Sequence, residues 1–154
     1  MNMTTQVQYR RNDNEQNNVL PMLGGQTTGR SLTVPVTINI SKNRVQHAIN
    51  LNLSRTTSTT ANQYAFVDNV AGNAGILGVS SDPFTWGVPT LSFSSLSSVR
   101  DVTPSRRSDT RLSLSYVWTK PFRTHTLRIG GDMRQDWSNS RTESNARGAF
   151  TFSG

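Results

Sequence analysis

Apolar and polar side chains alternate over long stretches of this 154-residue chain, and that alternation is the main guide to its fold. Leu32, Val34, Val36, Ile38 and Ile40 interleave with Thr33, Pro35, Thr37 and Asn39. Val45, His47, Ile49, Leu51 and Leu53 interleave with Gln46, Ala48, Asn50 and Asn52. Further on, Leu112, Leu114, Tyr116 and Trp118 alternate with Arg111, Ser113, Ser115 and Thr119, and Leu127, Ile129 and Met133 with Thr126, Arg128, Asp132 and Arg134. Successive side chains of a strand point to opposite faces, so this period of two predicts strands with one apolar and one polar face. Strands are predicted near 4–10, 31–40, 44–57, 107–119, 124–139 and 148–154, the first carrying Val7 and Tyr9, the last Phe150 and Phe152. Several outrun the roughly five or six residues of an ordinary globular strand.

The connections differ sharply in length. Ser41-Lys42-Asn43 and Lys120-Pro121-Phe122-Arg123 read as tight turns, whereas 11–29 and 58–106 are long and polar. The second of these holds a glycine-rich run from Asp68 to Gly78, two proline breaks at Pro83 and Pro89, and a short strand-like piece, Leu91-Ser92-Phe93. Connections of that length are uncommon in compact domains and are usually functional or disordered. Short turns at one strand end and long loops at the other are the habit of transmembrane barrels. The predicted fold class is therefore all-β: an antiparallel up-and-down transmembrane β-barrel segment, about six strands of a larger barrel, with long extracellular loops.

Parity then sorts the side chains. Val36, Ile38, Leu51, Leu114 and Ile129 fall on the lipid-facing set, and Asn50, Ser113, Arg128 and Asp132 on the lumen-facing set. Tyr116 and Trp118, near the short-turn end, and Trp137, near the long-loop end, match the two aromatic girdles of such barrels. The competing reading is a soluble sandwich or solenoid with one packed and one wet face, and strand length together with loop asymmetry favours the barrel.

Composition points the same way. Hydrophobic residues make up 33% of the chain and charged ones 16%, leaving a remainder dominated by Ser, Thr, Asn and Gln. A soluble fold of this size needs more apolar content to offset its chain entropy, so the chain is partly disordered, or apolar on only one thin layer of each strand, or a piece completed by other segments. The net charge of +7 suggests an anionic partner, but the 16 Lys and Arg are scattered, with Arg10-Arg11 and Arg106-Arg107 the only doublets. No nucleic-acid motif accompanies them, so no nucleic-acid partner is expected. Cysteine is absent, which removes disulfides, thiolate metal sites and thiol catalysis. No apolar run approaches a membrane helix, and the residues after Met1 have no leader-like apolar core.

Candidate chemistry is sparse. His47 and His125 sit on separate strands at positions that suit an interface better than a metal or proton relay. Asp132 and Asp136 share a face with Arg128 and Arg134, as paired lumen charges would. Gly72, Gly75 and Gly78 lack dinucleotide-loop spacing and are followed by no phosphate-binding lysine. With no acid, base, nucleophile, cofactor or metal set assembled, the chain is not expected to be an enzyme. Phe84 and Trp86 are candidates for contacting a ligand from the long loop, with packing inside the loop an equal alternative.

Four strings carry a resemblance: Asp68–Gly72 (DNVAG), Gly87–Phe93 (GVPTLSF), His125–Asp132 (HTLRIGGD) and Asn145–Phe152 (NARGAFTF). Their order and spacing resemble the barrel of TonB-dependent outer-membrane receptors, of the Oar-like type that carries a carboxypeptidase-regulatory-like domain. The resemblance runs from about Arg30 to Gly154. It implies a section of a twenty-two-stranded barrel in the outer membrane of a Gram-negative bacterium. The implied partners are outer-membrane lipid, the plug and other strands of the same receptor, the TonB complex acting through that plug, and a large solute. A secreted β-rich adhesin or carbohydrate-binding module is the alternative from another class.

Overall fold

The computed structural model describes residues 1–153 and is built almost wholly of strands. In chain order they are β1 (Asn2–Thr5), β2 (Gln8–Gln16), β3 (Gly25–Lys42), β4 (Val45–Asn62), β5 (Thr90–Phe93), β6 (Ser105–Phe122), β7 (His125–Thr142) and β8 (Ala149–Phe152). One four-residue helix, α1, spans Val70–Asn73. No helix among the described residues is long and apolar enough to cross a membrane, which has no bearing on crossing by strands. The main sheet runs β1-β3-β4-β6-β7, with β2 also on β3. It is open: among the described residues β7 is bonded to β6 alone. By contacts the chain divides into two compact units, Met1–Arg10 with Arg30–Thr57 and Ser108–Asn139, and Arg11–Gly29 with Ser58–Arg107 and Ser140–Gly154.

The first unit holds the tight hairpins. β3 and β4 are joined by Asn43 and Arg44 alone, both at positive φ (50° and 64°), the conformation of the two-residue turn whose twist matches paired strands. This places the turn slightly later than the predicted Ser41–Asn43, because the ladder continues through Lys42. β6 likewise continues through Pro121 and Phe122, leaving Arg123 and Thr124 as its turn into β7. A proline at the end of a strand costs little, since few ladder bonds remain to be lost.

Pro35 explains a break that the alternation alone did not reveal. The predicted strand at 4–10 is two pieces, β1 and β2, separated by Gln6 and Val7. β1 pairs antiparallel with β3, Thr5 opposite Val36, so the next position along faces Pro35. Pro35 has no N–H to give, and only its carbonyl serves, accepting from the Gln6 amide at 3.3 Å and the Thr5 hydroxyl at 3.2 Å. The ladder resumes with β2, whose sequence QYRRNDNEQ is exposed throughout. With no apolar face, it carries no period-two signal, which is why 11–16 read as loop.

In the second unit the long connection, predicted at 58–106 and running 63–104 between β4 and β6, is folded. Ala71, Phe84, Thr85 and Pro104 are fully or almost fully buried in it, together with Leu23 from the preceding connection. Asn69 caps α1 by accepting the Gly72 amide at 3.0 Å, and a Cβ at Gly72 would stand 2.4 Å from the Asn69 side chain. That glycine is thus spent on a cap. β5 and β8 form a separate parallel pair, with Leu91 opposite Phe150 and Phe93 opposite Phe152. The rings of Phe93 and Phe152 stack at 5.2 Å. The strand expected at 148–154 therefore exists as four residues, paired with β5. Its phenylalanines pack locally once Asn145 (φ 62°) and Gly148 (φ 85°) have turned the chain.

Candidate functional site

The first unit presents a wet face and a dry face. On the wet face, the Thr37 hydroxyl donates to Asn50 Oδ1 at 3.0 Å, and Asn50 Nδ2 donates to the Ser115 hydroxyl at 3.3 Å. One polar chain thus crosses β3, β4 and β6. On β6 and β7 the Arg111 guanidinium donates to Asp136 at 2.7 Å, Arg134 donates to the same carboxylate at 2.8 Å, and Ser138 donates to Asp109 at 2.6 Å. Ser113, Arg128 and Asp132 share the parity of these residues and lie on the same face. Asp136 thus answers two arginines, and all three side chains are exposed, so they are surface chemistry and not an acid–base couple.

The dry face carries the other parity. Val36, Ile38, Leu51, Leu114 and Ile129 all fall on it, and Leu51, Leu127, Ile129 and Met133 are 37%, 45%, 58% and 59% exposed. A soluble protein seldom leaves so continuous an apolar surface uncovered. His47 Nδ1 lies 2.8 Å from the Tyr116 hydroxyl, with the rings stacked at 6.1 Å. The pairing gives this histidine a partner on the apolar side. Tyr116 and Trp118 sit towards the turn end of β6, and Trp137 towards the other end of β7, where it is half exposed.

The second unit is organised by a buried ion pair that the sequence reading did not anticipate. Asp101 lies 2.8 Å from Arg147 Nη2, with side chains 1% and 11% exposed. The Asp101 carboxylate also accepts the Val88 amide and Asn62 Nδ2, each at 3.0 Å. Asn62 reaches further, donating to the Trp86 carbonyl at 3.0 Å and accepting the amides of Tyr64 (2.9 Å) and Ala65 (2.7 Å). Gly87 is wrapped by all three side chains: an added Cβ would stand 2.3 Å from Asp101, 2.5 Å from Asn62 and 2.6 Å from Arg147. Burial pushes the Asp101 carboxyl up from its ordinary value, against the lowering by the Val88 amide and Arg147. Burial likewise lowers Arg147, against the pull of Asp101. Desolvation dominates both partners, so the pair fixes geometry more than it adds stability.

Phe84 lies inside the folded connection. It is 2% exposed, with the Arg106 guanidinium 4.1 Å above its ring and that of Arg141 at 5.9 Å. Trp86 is half-buried and tied through its carbonyl to Asn62. Arg141 pairs with Asp82 at 2.6 Å and also with Glu143. Asp82 caps the turn Pro83–Thr85 through the Phe84 amide, and that bond, with Arg141, holds its carboxyl below the usual range. Nothing periodic marks Asp101 or Arg147, since Asp101 meets Asn62 from 39 residues away. Among the described residues no group of acidic or histidine side chains is arranged to hold a metal.

Long antiparallel strands with one dry and one wet face, tight turns and a folded long connection define the wall of a transmembrane β-barrel. The family model of an outer membrane beta barrel domain matches residues 2–154, and the chain belongs to that family. Its place is the outer membrane of Gram-negative bacteria. No curated protein matches it.

Proposed function

We propose that this chain supplies wall strands and outer loops of a TonB-dependent receptor of the Oar-like type, which takes up a large solute at the expense of inner-membrane energy. The strings from Asp68–Gly72 to Asn145–Phe152 support this reading, and the observation that carries it is the folded connection between β4 and β6. A passive pore needs only a lining, whereas a receptor needs an ordered outer surface that holds a solute until the channel opens. In this reading Val36, Ile38, Leu51, Leu114 and Ile129 face lipid, while Asn50, Ser113, Arg128 and Asp132 face the lumen. Tyr116, Trp118 and Trp137 lie at the two interfaces. The partners are outer-membrane lipid, the plug and other strands of the receptor, and the TonB complex.

A strand crosses the hydrocarbon with about 9–11 residues, and β3, β4, β6 and β7 have 18 each. About seven to nine per strand are then left for the aqueous side. The test is solute depletion by whole cells. Removing this gene and removing TonB should abolish accumulation of the same solute. If a solute is lost with this gene yet still taken up without TonB, the protein is a passive channel and the proposal fails.

A further inference from the structure

A second feature of the second unit has a chemistry of its own. Where β2 ends, the connection Asn17–Gly24 turns back and β3 begins, the surface encloses a groove of about 630 Å³. Its walls are carboxamides and one carboxylate: Glu15, Gln16, Asn17, Asn18, Gln26 and Gln63. Its floor is backbone at Pro21, Gly24 and Gly25. The glycines give it depth, since a Cβ at Gly24 would stand 2.8 Å from the Gln16 carbonyl, and one at Gly25 would stand 2.4 Å from that of Ala61.

The hydrogen bonds already made decide what the groove offers. Asn18 spends its amide nitrogen on the carbonyls of Leu23 (3.1 Å) and Arg100 (2.9 Å). Gln63 donates to the Pro21 carbonyl at 3.2 Å, and Gln16 to the Thr27 hydroxyl at 3.1 Å. Three amide nitrogens thus hold the walls, and the three amide oxygens are left as acceptors. The side chains of Asn17 and Gln26 bond nothing among the described residues, so each still offers both donors and an acceptor. Among the described residues no cation pairs with Glu15. None of the 16 Lys and Arg of this basic chain lines the groove, and Pro21 is its only apolar side chain.

That inventory selects a ligand class. An anion would meet a carboxylate and no cation. An apolar ligand would meet almost no apolar wall. A bare cation needs ligands converging at about 2.3–2.6 Å, and a groove of this volume with one carboxylate does not supply them. A hydroxyl is both donor and acceptor, and neighbouring ring hydroxyls match the paired oxygen and nitrogen of a carboxamide. The volume lies within the roughly 300–1,000 Å³ typical of small-molecule sites. We propose that this amide-walled groove binds a neutral, hydroxyl-rich saccharide. The inference rests on the reading above only in placing this groove on the outer side of the membrane.

The test is calorimetric titration of the detergent-solubilised full chain with maltotriose, cellotriose, xylotriose and mannotriose, against trigalacturonate and calcium chloride. At least one neutral trisaccharide should bind with a Kd of about 1 mM or tighter, and trigalacturonate should not bind. The double variant Asn17→Ala/Gln26→Ala removes two exposed side chains that bond nothing among the described residues, so its fold is preserved. It should weaken binding by about tenfold or more. Failure of every neutral trisaccharide, equal binding of trigalacturonate, a response to calcium alone, or unchanged affinity in the double variant would overturn the proposal. Binding is read without TonB, so a bound saccharide that cells do not take up in a TonB-dependent way refutes the transport reading and leaves the groove standing.

Discussion

Replacing Arg147 by methionine separates the two roles that a buried ion pair can play. Methionine keeps most of the stem that packs against the loop and removes only the charged head. Asp101, 5% exposed, then retains the Val88 amide and Asn62 Nδ2 but loses its counter-charge. Removing one partner of a buried pair costs about 3–5 kcal/mol, and the two surviving donors put this case at about 3 kcal/mol. That is about two factors of ten in the opening equilibrium of the loop. The double variant Asp101→Asn/Arg147→Met keeps an acceptor for Val88 and leaves no charge behind, so it should regain most of the loss. The assay is amide exchange at Val88 and its neighbours in the detergent-solubilised chain, corrected for intrinsic rates. The pH response has a definite sign. Burial holds the Asp101 carboxyl above its ordinary 3.8, so the folded loop binds the proton more tightly than the open one. Its contribution is fully present below 3.8 and is lost as pH rises through the raised value. Losing Arg147 removes one influence that lowers it, so the single variant should be better protected at mildly acid than at mildly alkaline pH. Equal protection of parent and single variant, or a double variant no better than the single, would refute the reasoning.

Four other outcomes are expected. Gly87→Ala should open the same loop as far as Arg147→Met does, by proteolysis between Pro83 and Pro104, because its Cβ would displace Asp101, Asn62 and Arg147 together. Single cysteines, otherwise absent from the chain, should react with a water-soluble maleimide much faster at Asp132 than at Ile129 in intact vesicles, and equal rates would invalidate the assignment of faces. Leu51→Arg should destabilise the barrel by about 2–4 kcal/mol if that residue lies near the bilayer midplane, and Asn50→Arg by much less, as read by urea unfolding in vesicles. The tie between Asp82 and Arg141 should loosen only in strong acid. The Asp82 carboxyl is held below 3.8, so its contribution is present above that pH and lost as pH falls through the lowered value, with neighbouring exchange as the readout.

How much of this was legible in the sequence depends on what each feature rests on. β3, β4, β6 and β7 are legible because each needs one apolar face, and Leu114 beside Ser113 or Ile129 beside Arg128 records that need residue by residue. β2 is not, because both of its faces are wet and its ladder is made by backbone that any side chain can supply. The break at Gln6 becomes intelligible only once Pro35 is known to lie opposite it. The loop cluster is harder still. Asp101, Asn62 and Arg147 converge from separate stretches of polar chain, and a lone aspartate or arginine in such a stretch reads as a solvated charge. Phe84 misleads for the same reason: a phenylalanine in a polar loop looks exposed until Arg106 and Arg141 are seen to cover it. The wall is therefore written in periodicity, and the long connection in a few long-range polar contacts that single substitutions can remove.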